Sequence, residues 1–265
     1  MSALQPASYK WRDTHMQKTM FDPAEQKKIG MLTPSSNTAL EPVCSRMVSG
    51  LENLVAMHYS RLEVTKISLE KDALSQFDLD PFLRASEFLA HADVDAIAWN
   101  GTSGGWTGFD FDRMVCEKIT EATGIPATTS MLAMLEAFEE NKVKTLHMVT
   151  PYIPAIDELI AKQFEEKCGY QVINSRGLNQ TVNRSFSLVT PEQIDGMCKE
   201  VSVDPADGIS IICTNLRSTW QIEQLERDYG ITVYDSTAVT VWKTLKMVGV
   251  DPGVVKGWGR LFTGK

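Results

Sequence analysis

Landmarks recur along the chain in the same order, and this repetition constrains the fold more than any single motif does. Thr33-Pro34 returns as Thr150-Pro151, Gly101 falls in step with Cys213, Gly124-Ile125 with Gly230-Ile231, and Ser130 with Ser236. The spacing between partners shrinks along the chain, as loop deletions in one copy make it do. Most of these landmarks sit where an apolar run gives way to small polar residues and then to a helical pattern. Strands and helices alternating in this way build parallel sheets covered by helices. The duplication therefore predicts an α/β protein of two similar parallel-sheet halves, flavodoxin-like in build and related by a pseudo-twofold. In open α/β sheets the carboxyl edge of the strands is where ligands bind. The predicted active site is the cleft in which the two sets of strand-end loops face each other.

Hydrophobic periodicity predicts first-half strands at residues 28–33, 62–67, 93–100 and 125–129. Those of the second half are predicted at 143–149, 170–174, around Ile209 to Ile212, and at 230–234. Helices are predicted at 39–51, 80–90, 111–123, 130–141, after Tyr152 as far as Lys167, and at 191–201, 218–227 and 235–247. Gly124 reads as a helix C-cap, and Ser130 and Thr190 as N-caps. The expected division is an N-terminal arm over 1–28, a first half of 29–129 plus 235–265, and a second half of 130–234. The arm carries Tyr9, Trp11 and Phe21 as apolar anchors, with Met16 and Met20 beside them and a solvated His15. It is expected to be partly disordered or to drape over a partner subunit, so a homo-oligomer is an open expectation.

Charge and cysteine usage remove several classes. The 265 residues carry a formal net charge of -8 and no basic stripe, which argues against a nucleic-acid partner. No run of about 18 apolar residues exists, so no membrane span is expected. The first 28 residues lack the apolar core of a secretory leader. The five cysteines are widely spaced and include no C-x-x-C pair, which fits free thiols in a reducing cytoplasm. The four histidines show no metal-ligand spacing, and neither a metal nor a cofactor is expected.

Polar residues gather at three strand ends. Pro34-Ser35-Ser36-Asn37-Thr38 follows the first strand, and Asn and Ser there either cap the next helix or hold a ligand. Gly101-Thr102-Ser103-Gly104-Gly105-Trp106-Thr107-Gly108 follows the third. Four glycines in eight residues make either a flexible surface turn or a backbone nest for an anion. Cys213-Thr214-Asn215 lies between a buried strand and a helix start, where free N–H groups and the helix dipole favour a thiolate. The alternative for Cys213 is a small buried thiol that only packs.

At these residues the chain resembles the aspartate/glutamate racemase superfamily, in its branch of maleate isomerases and arylmalonate decarboxylases. The resemblance covers roughly residues 28–262. Pro34-Ser35-Ser36-Asn37-Thr38 with Glu41-Pro42 resembles the isomerase form, in which the Asn holds a substrate carboxylate. Tyr152 matches a tyrosine that donates to a carboxylate. Asn183 lies where isomerases carry a substrate-binding Asn, and Cys213 matches the second-half catalytic cysteine. The departure is Gly101. Racemases and isomerases carry a first cysteine there, whereas arylmalonate decarboxylases carry Gly followed by Thr-Ser, as Gly101-Thr102-Ser103 does. Cys116, in the next helix, is expected to pack in the core and not to replace it.

What this implies is a cofactor-independent decarboxylase of a malonate-type acid. Two-thiol racemase and isomerase schemes lose a participant at Gly101. Delivering one proton to one face of a carbanion needs only Cys213. Thr102, Ser103 and Tyr152, with backbone N–H groups near Ser103 and Thr214, are expected to hold the enediolate, and Leu32, Trp106 or Val149 to line an apolar seat for the leaving carboxylate. Restoring a thiol by Gly101→Cys is expected to bring in racemase activity. The alternatives are a maleate-isomerase-like or racemase-like isomerase of a small carboxylate, and a non-catalytic carboxylate-binding protein.

Overall fold

The structure is a computed structural model that describes residues 22–264. The strands are β1 (Lys27–Pro34), β2 (Val55–Leu62), β3 (Ala96–Trp99), β4 (Ala127–Thr129), β5 (Thr145–Val149), β6 (Gln171–Arg176), β7 (Gly208–Ile211) and β8 (Thr232–Asp235). The helices are α1 (Leu40–Met47), α2 (Lys71–Leu74), α3 (Leu79–Ala90), α4 (Gly104–Thr107), α5 (Phe109–Thr123) and α6 (Ser130–Glu140), then α7 (Pro154–Lys162), α8 (Asn183–Phe186), α9 (Pro191–Val201), α10 (Ile222–Tyr229) and α11 (Ser236–Met247).

They form two four-stranded sheets of the same order, β2-β1-β3-β4 and β6-β5-β7-β8, parallel throughout. The predicted fold class is therefore present, and the repeat has a structural meaning. β1 answers to β5 and β3 to β7, which makes Gly101 and Cys213 equivalent positions just past equivalent strands. Gly124 and Gly230 close α5 and α10 in the same left-handed conformation, at φ 73° and 70°. β3 and β7 are buried at every residue, as inner strands covered on both faces require. α6 and α11 pack on each other, and α11 also touches β3, β8 and α1. Phe138 of α6 meets Tyr234 of β8 edge-on at 5.0 Å, so the core is continuous between the sheets.

Several sequence expectations need correcting. The second strand is β2, and residues 62–67 are not a strand beyond Leu62. Leu62, Val64 and Ile67 are buried and Glu63 and Thr65 exposed, because the segment runs extended over the cleft with one side turned inward. Its alternation reports that burial and no sheet pairing. The glycine-rich stretch is neither a surface turn nor extended: it holds α4, with Gly104 and Gly105 buried. A Cβ on Gly104 would lie 2.3 Å from the Asp112 carboxyl carbon, so packing selects that glycine. Thr129, not Ser130, caps α6, accepting from the Leu132 N–H at 3.1 Å. The helix after Tyr152 ends at Lys162 and continues as a π-turn over Gln163–Lys167, and the one expected at 218 opens with a 3-10 turn, Ser218–Gln221. The Thr190 cap is present as a full capping box with Gln193. Lys27 and Lys28 belong to β1, and the arm's anchors Tyr9, Trp11 and Phe21, with His15, Met16 and Met20, lie outside the described residues.

Candidate active site

The carboxyl ends of β1 and β3 meet those of β5 and β7 around a small cavity of about 20 Å3. Its polar wall is Thr102, Ser103, Tyr152, Asn183, Cys213 and Thr214, with Gly101 among them. Its apolar wall is Pro34, Val64, Ile67, Phe77, Trp99 and Trp106. A volume of this size holds about one water. No Lys or Arg lines it, so a bound carboxylate would meet neutral donors only. A larger open groove of about 560 Å3 lies beside Arg46, Trp220 and Trp258, but none of the strand-end residues reaches it. Chemistry, not size, singles out the small cavity.

Cys213 is 3% exposed and sits at the end of β7. Its sulfur accepts from the Asn215 N–H at 3.4 Å, and the Tyr152 hydroxyl and Leu216 N–H also favour its anion. Those donors favour a thiolate, yet burial outweighs them and pushes the thiol up to about 11. Burial thus works against the tendency toward a thiolate that a strand end confers. The next helical turn begins only at Ser218. The Tyr152 phenol shares a 2.7 Å hydrogen bond with Thr102 Oγ1, and burial holds it well above its usual range, so it remains a neutral phenol. Its backbone is fixed from behind. The Tyr152 N–H donates to Thr150 Oγ1 at 3.0 Å, and Thr150 donates in turn to Asp157 at 2.5 Å. Trp106 and Phe186 meet the ring edge-on at 5.3 and 5.6 Å.

Several predicted residues tie the two halves together, some of them while also lining the cavity. Asn37 Oδ1 accepts from the N–H groups of Ala39 and Leu40 at 2.9 and 3.0 Å, the capping alternative, while its Nδ2 donates to Thr214 Oγ1 at 3.1 Å. Thr214 Oγ1 donates onward to the Asn100 carbonyl at 3.1 Å. Asn215 accepts from the Thr38 N–H at 2.9 Å and donates to the Asn183 carbonyl at 2.6 Å. Asn183 lines the cavity and also donates to Ser36 Oγ at 2.8 Å. Ser35 Oγ accepts from the Val64 N–H at 3.1 Å. Trp106 lines the cavity as expected; Leu32 and Val149 are buried in the core behind it. Cys116 is half-buried on α5 and away from the cavity.

Four lining residues went unread in the sequence: Val64, Ile67, Phe77 and Trp99. Beside the cavity, the connection after β2 pairs with the segment before α8. Ile67 N–H donates to the Thr181 carbonyl at 2.8 Å, and Asn183 N–H to the Thr65 carbonyl at 3.1 Å. Lys66 and Val182 form an antiparallel bridge between them. The buried alternation of Val64 and Ile67 was the available signal. Trp99 showed none, being read as one more strand residue. Its indole lies against Gly101: a Cβ there would fall 2.2 Å from Trp99 Cζ2. A cysteine at 101 therefore fits only if the indole moves.

Fold and site together define a class: helix-covered α/β proteins made of two equivalent parallel sheets, here with a buried thiol where the sheets meet. The chain belongs to the Asp/Glu/hydantoin racemase family, whose model matches residues 29–244. It is 24% identical over 248 residues to a maleate isomerase of Pseudomonas putida, covering 89% of this chain and 97% of that protein. It is 26% identical over 159 residues to the arylmalonate decarboxylase of Bordetella bronchiseptica, covering 59% of this chain and 66% of that one. The crystal structure of the maleate isomerase Iso from Pseudomonas putida S16 shares the fold, with a TM-score of 0.83, 23% identity, and coverage of 90% of this chain and 99% of that one. These relatives are enzymes.

Proposed function

We propose that this protein is a cofactor-independent decarboxylase of a malonate-type carboxylic acid, with Cys213 as the proton donor. The observation that carries the reading is a single buried thiol, held neutral, in a cavity whose equivalent position is Gly101 packed against an indole. The substrate's C–C bond to one carboxylate breaks, CO2 leaves, and the electron pair passes into the remaining carboxylate as an enediolate. Tyr152, Thr102 and Ser103, with backbone N–H groups near Ser103 and Thr214, are the neutral donors for that charge, each worth about 3 kcal/mol where it is aimed at the developing oxyanion. The apolar wall of Val64, Ile67, Phe77 and Trp106 favours neutral CO2 over the carboxylate it came from. The Cys213 S–H then gives its proton to the carbanion carbon, and the thiolate is reprotonated from solvent.

Purified protein incubated with aryl- and alkylmalonates should release CO2. Cys213→Ala should lose at least ~100-fold in kcat, the scale of a positioned acid; an unimpaired variant rejects the assignment. A second reading, an isomerase of a small unsaturated dicarboxylate, draws on the near-complete overlap with maleate isomerase. Cis–trans conversion with both carboxylates retained, and no CO2, would favour it.

A further inference from the structure

We infer that Trp99 is the residue that makes this site one-sided: its indole occupies the space of a position-101 side chain and shuts that wall to any second acid, base or water. The inference rests on the single-donor reading above and adds the residue that enforces it.

The geometry is specific. An ideal Cβ on Gly101 meets Trp99 Cζ2, Cε2 and Cη2 at 2.2, 2.4 and 2.8 Å, so the six-membered ring lies directly over the α-carbon. No real Cβ tolerates such contacts. The ring is not free to swing. Trp99 is 1% exposed, its Nε1–H donates to Ser103 Oγ at 3.1 Å, and Phe82 packs edge-on at 5.0 Å and 85°. Buried edge-on aromatic pairs hold their geometry better than area alone implies. Position 101 is the equivalent of Cys213 in the other sheet, and both residues line the same cavity. A side chain at 101 would therefore stand across the cavity from the sulfur, and the indole stands there in its place. Glycine at 101 is then a requirement of Trp99 and not a free choice. Protonation is confined to the Cys213 face, which predicts a single product enantiomer and no racemisation of it.

The test is a stability cycle read alongside stereochemistry. Gly101→Ala should lower Tm by roughly 5 °C in the wild-type background, the scale of overpacking a core, and by under ~2 °C in the Trp99→Leu background. Trp99→Phe, which keeps a ring of smaller reach, supplies the second background should Trp99→Leu fold poorly, and there the loss should be intermediate. Gly101→Cys alone should not raise deuterium exchange at the α-carbon of the product acid, whereas Gly101→Cys with Trp99→Leu should raise it at least ~10-fold. Equal Tm losses in all backgrounds, or exchange as fast in the single variant as in the double, would overturn the inference. A coupled cycle with no turnover of any malonate would sink the decarboxylase reading and leave the indole's occupation of the position-101 space standing.

Discussion

Cys213 shows how burial decides the character of a thiol. Removal from water outweighs the nearby donors Asn215, Tyr152 and Leu216, which favour the anion, and the thiol sits at about 11. A group raised above its ordinary value keeps its proton through the neutral range and loses it only as the pH climbs through the raised value. If Cys213 is the acid, kcat should stay flat in its thiol-dependent term from about pH 6 to 9 and fall only toward pH 11. A thiolate base or nucleophile would instead give a rate rising about tenfold per pH unit across that range. A pH–rate profile on a malonate substrate separates the two. Cys213 was legible in the sequence as a position, because a β-branched run ending in Cys-Thr-Asn marks a strand end. Its protonation was not, because desolvation comes from burial that only the folded chain creates. The same holds for Gly101, whose identity depends on how the indole two residues earlier is turned.

At the scale of elements, part of the cavity wall comes from two connections, which supply Val64, Ile67 and Asn183. Residues 64–67 and 181–183 come from different halves and are joined by two backbone hydrogen bonds, which make the Lys66–Val182 bridge. A cavity of about 20 Å3 admits no dicarboxylate, so these connections must part and close again for a substrate to enter. Amides at Ile67 and Asn183 should therefore exchange with deuterium faster than those of β1 in the free protein, and should slow when a malonate analogue binds. Exchange by mass spectrometry checks this; equal protection of β1 and the 64–67 segment would contradict it. The strands and principal helices were readable because sheet burial imprints period-two or continuous apolar runs and helix burial imprints period 3.6. The misreading of 62–67 follows from the same rule. An extended segment lying over a cleft alternates as a half-buried strand does, while β2, with His58, Ser60 and Arg61 half-buried or exposed, carries a weaker signal. Short α4 and α8 left too few residues for a period to register.

At the scale of the molecule, the two sheets are joined by amide and hydroxyl side chains at their shared edge. Asn215 ties the Thr38 N–H to the Asn183 carbonyl, and Thr214 ties Asn37 to Asn100. Leaving buried backbone groups without a partner costs about 1–3 kcal/mol. Asn215→Ala should thus lower Tm by roughly 3–10 °C, measured by calorimetry, and a change below about 1 °C would show the junction to be held elsewhere. The duplication itself was readable from paired landmarks, but which polar residues bind and which bolt the halves together was not, since Asn, Ser and Thr suit both tasks.

The neutral lining described above has a consequence for the encounter with substrate. A chain of formal charge -8 whose cavity wall has no basic residue exerts no long-range pull on a dianion and, summed over its surface, repels it. Capture must then come from short-range hydrogen bonds after collision, and dissolved salt, by screening the repulsion, aids the approach where it would hinder a cationic enzyme.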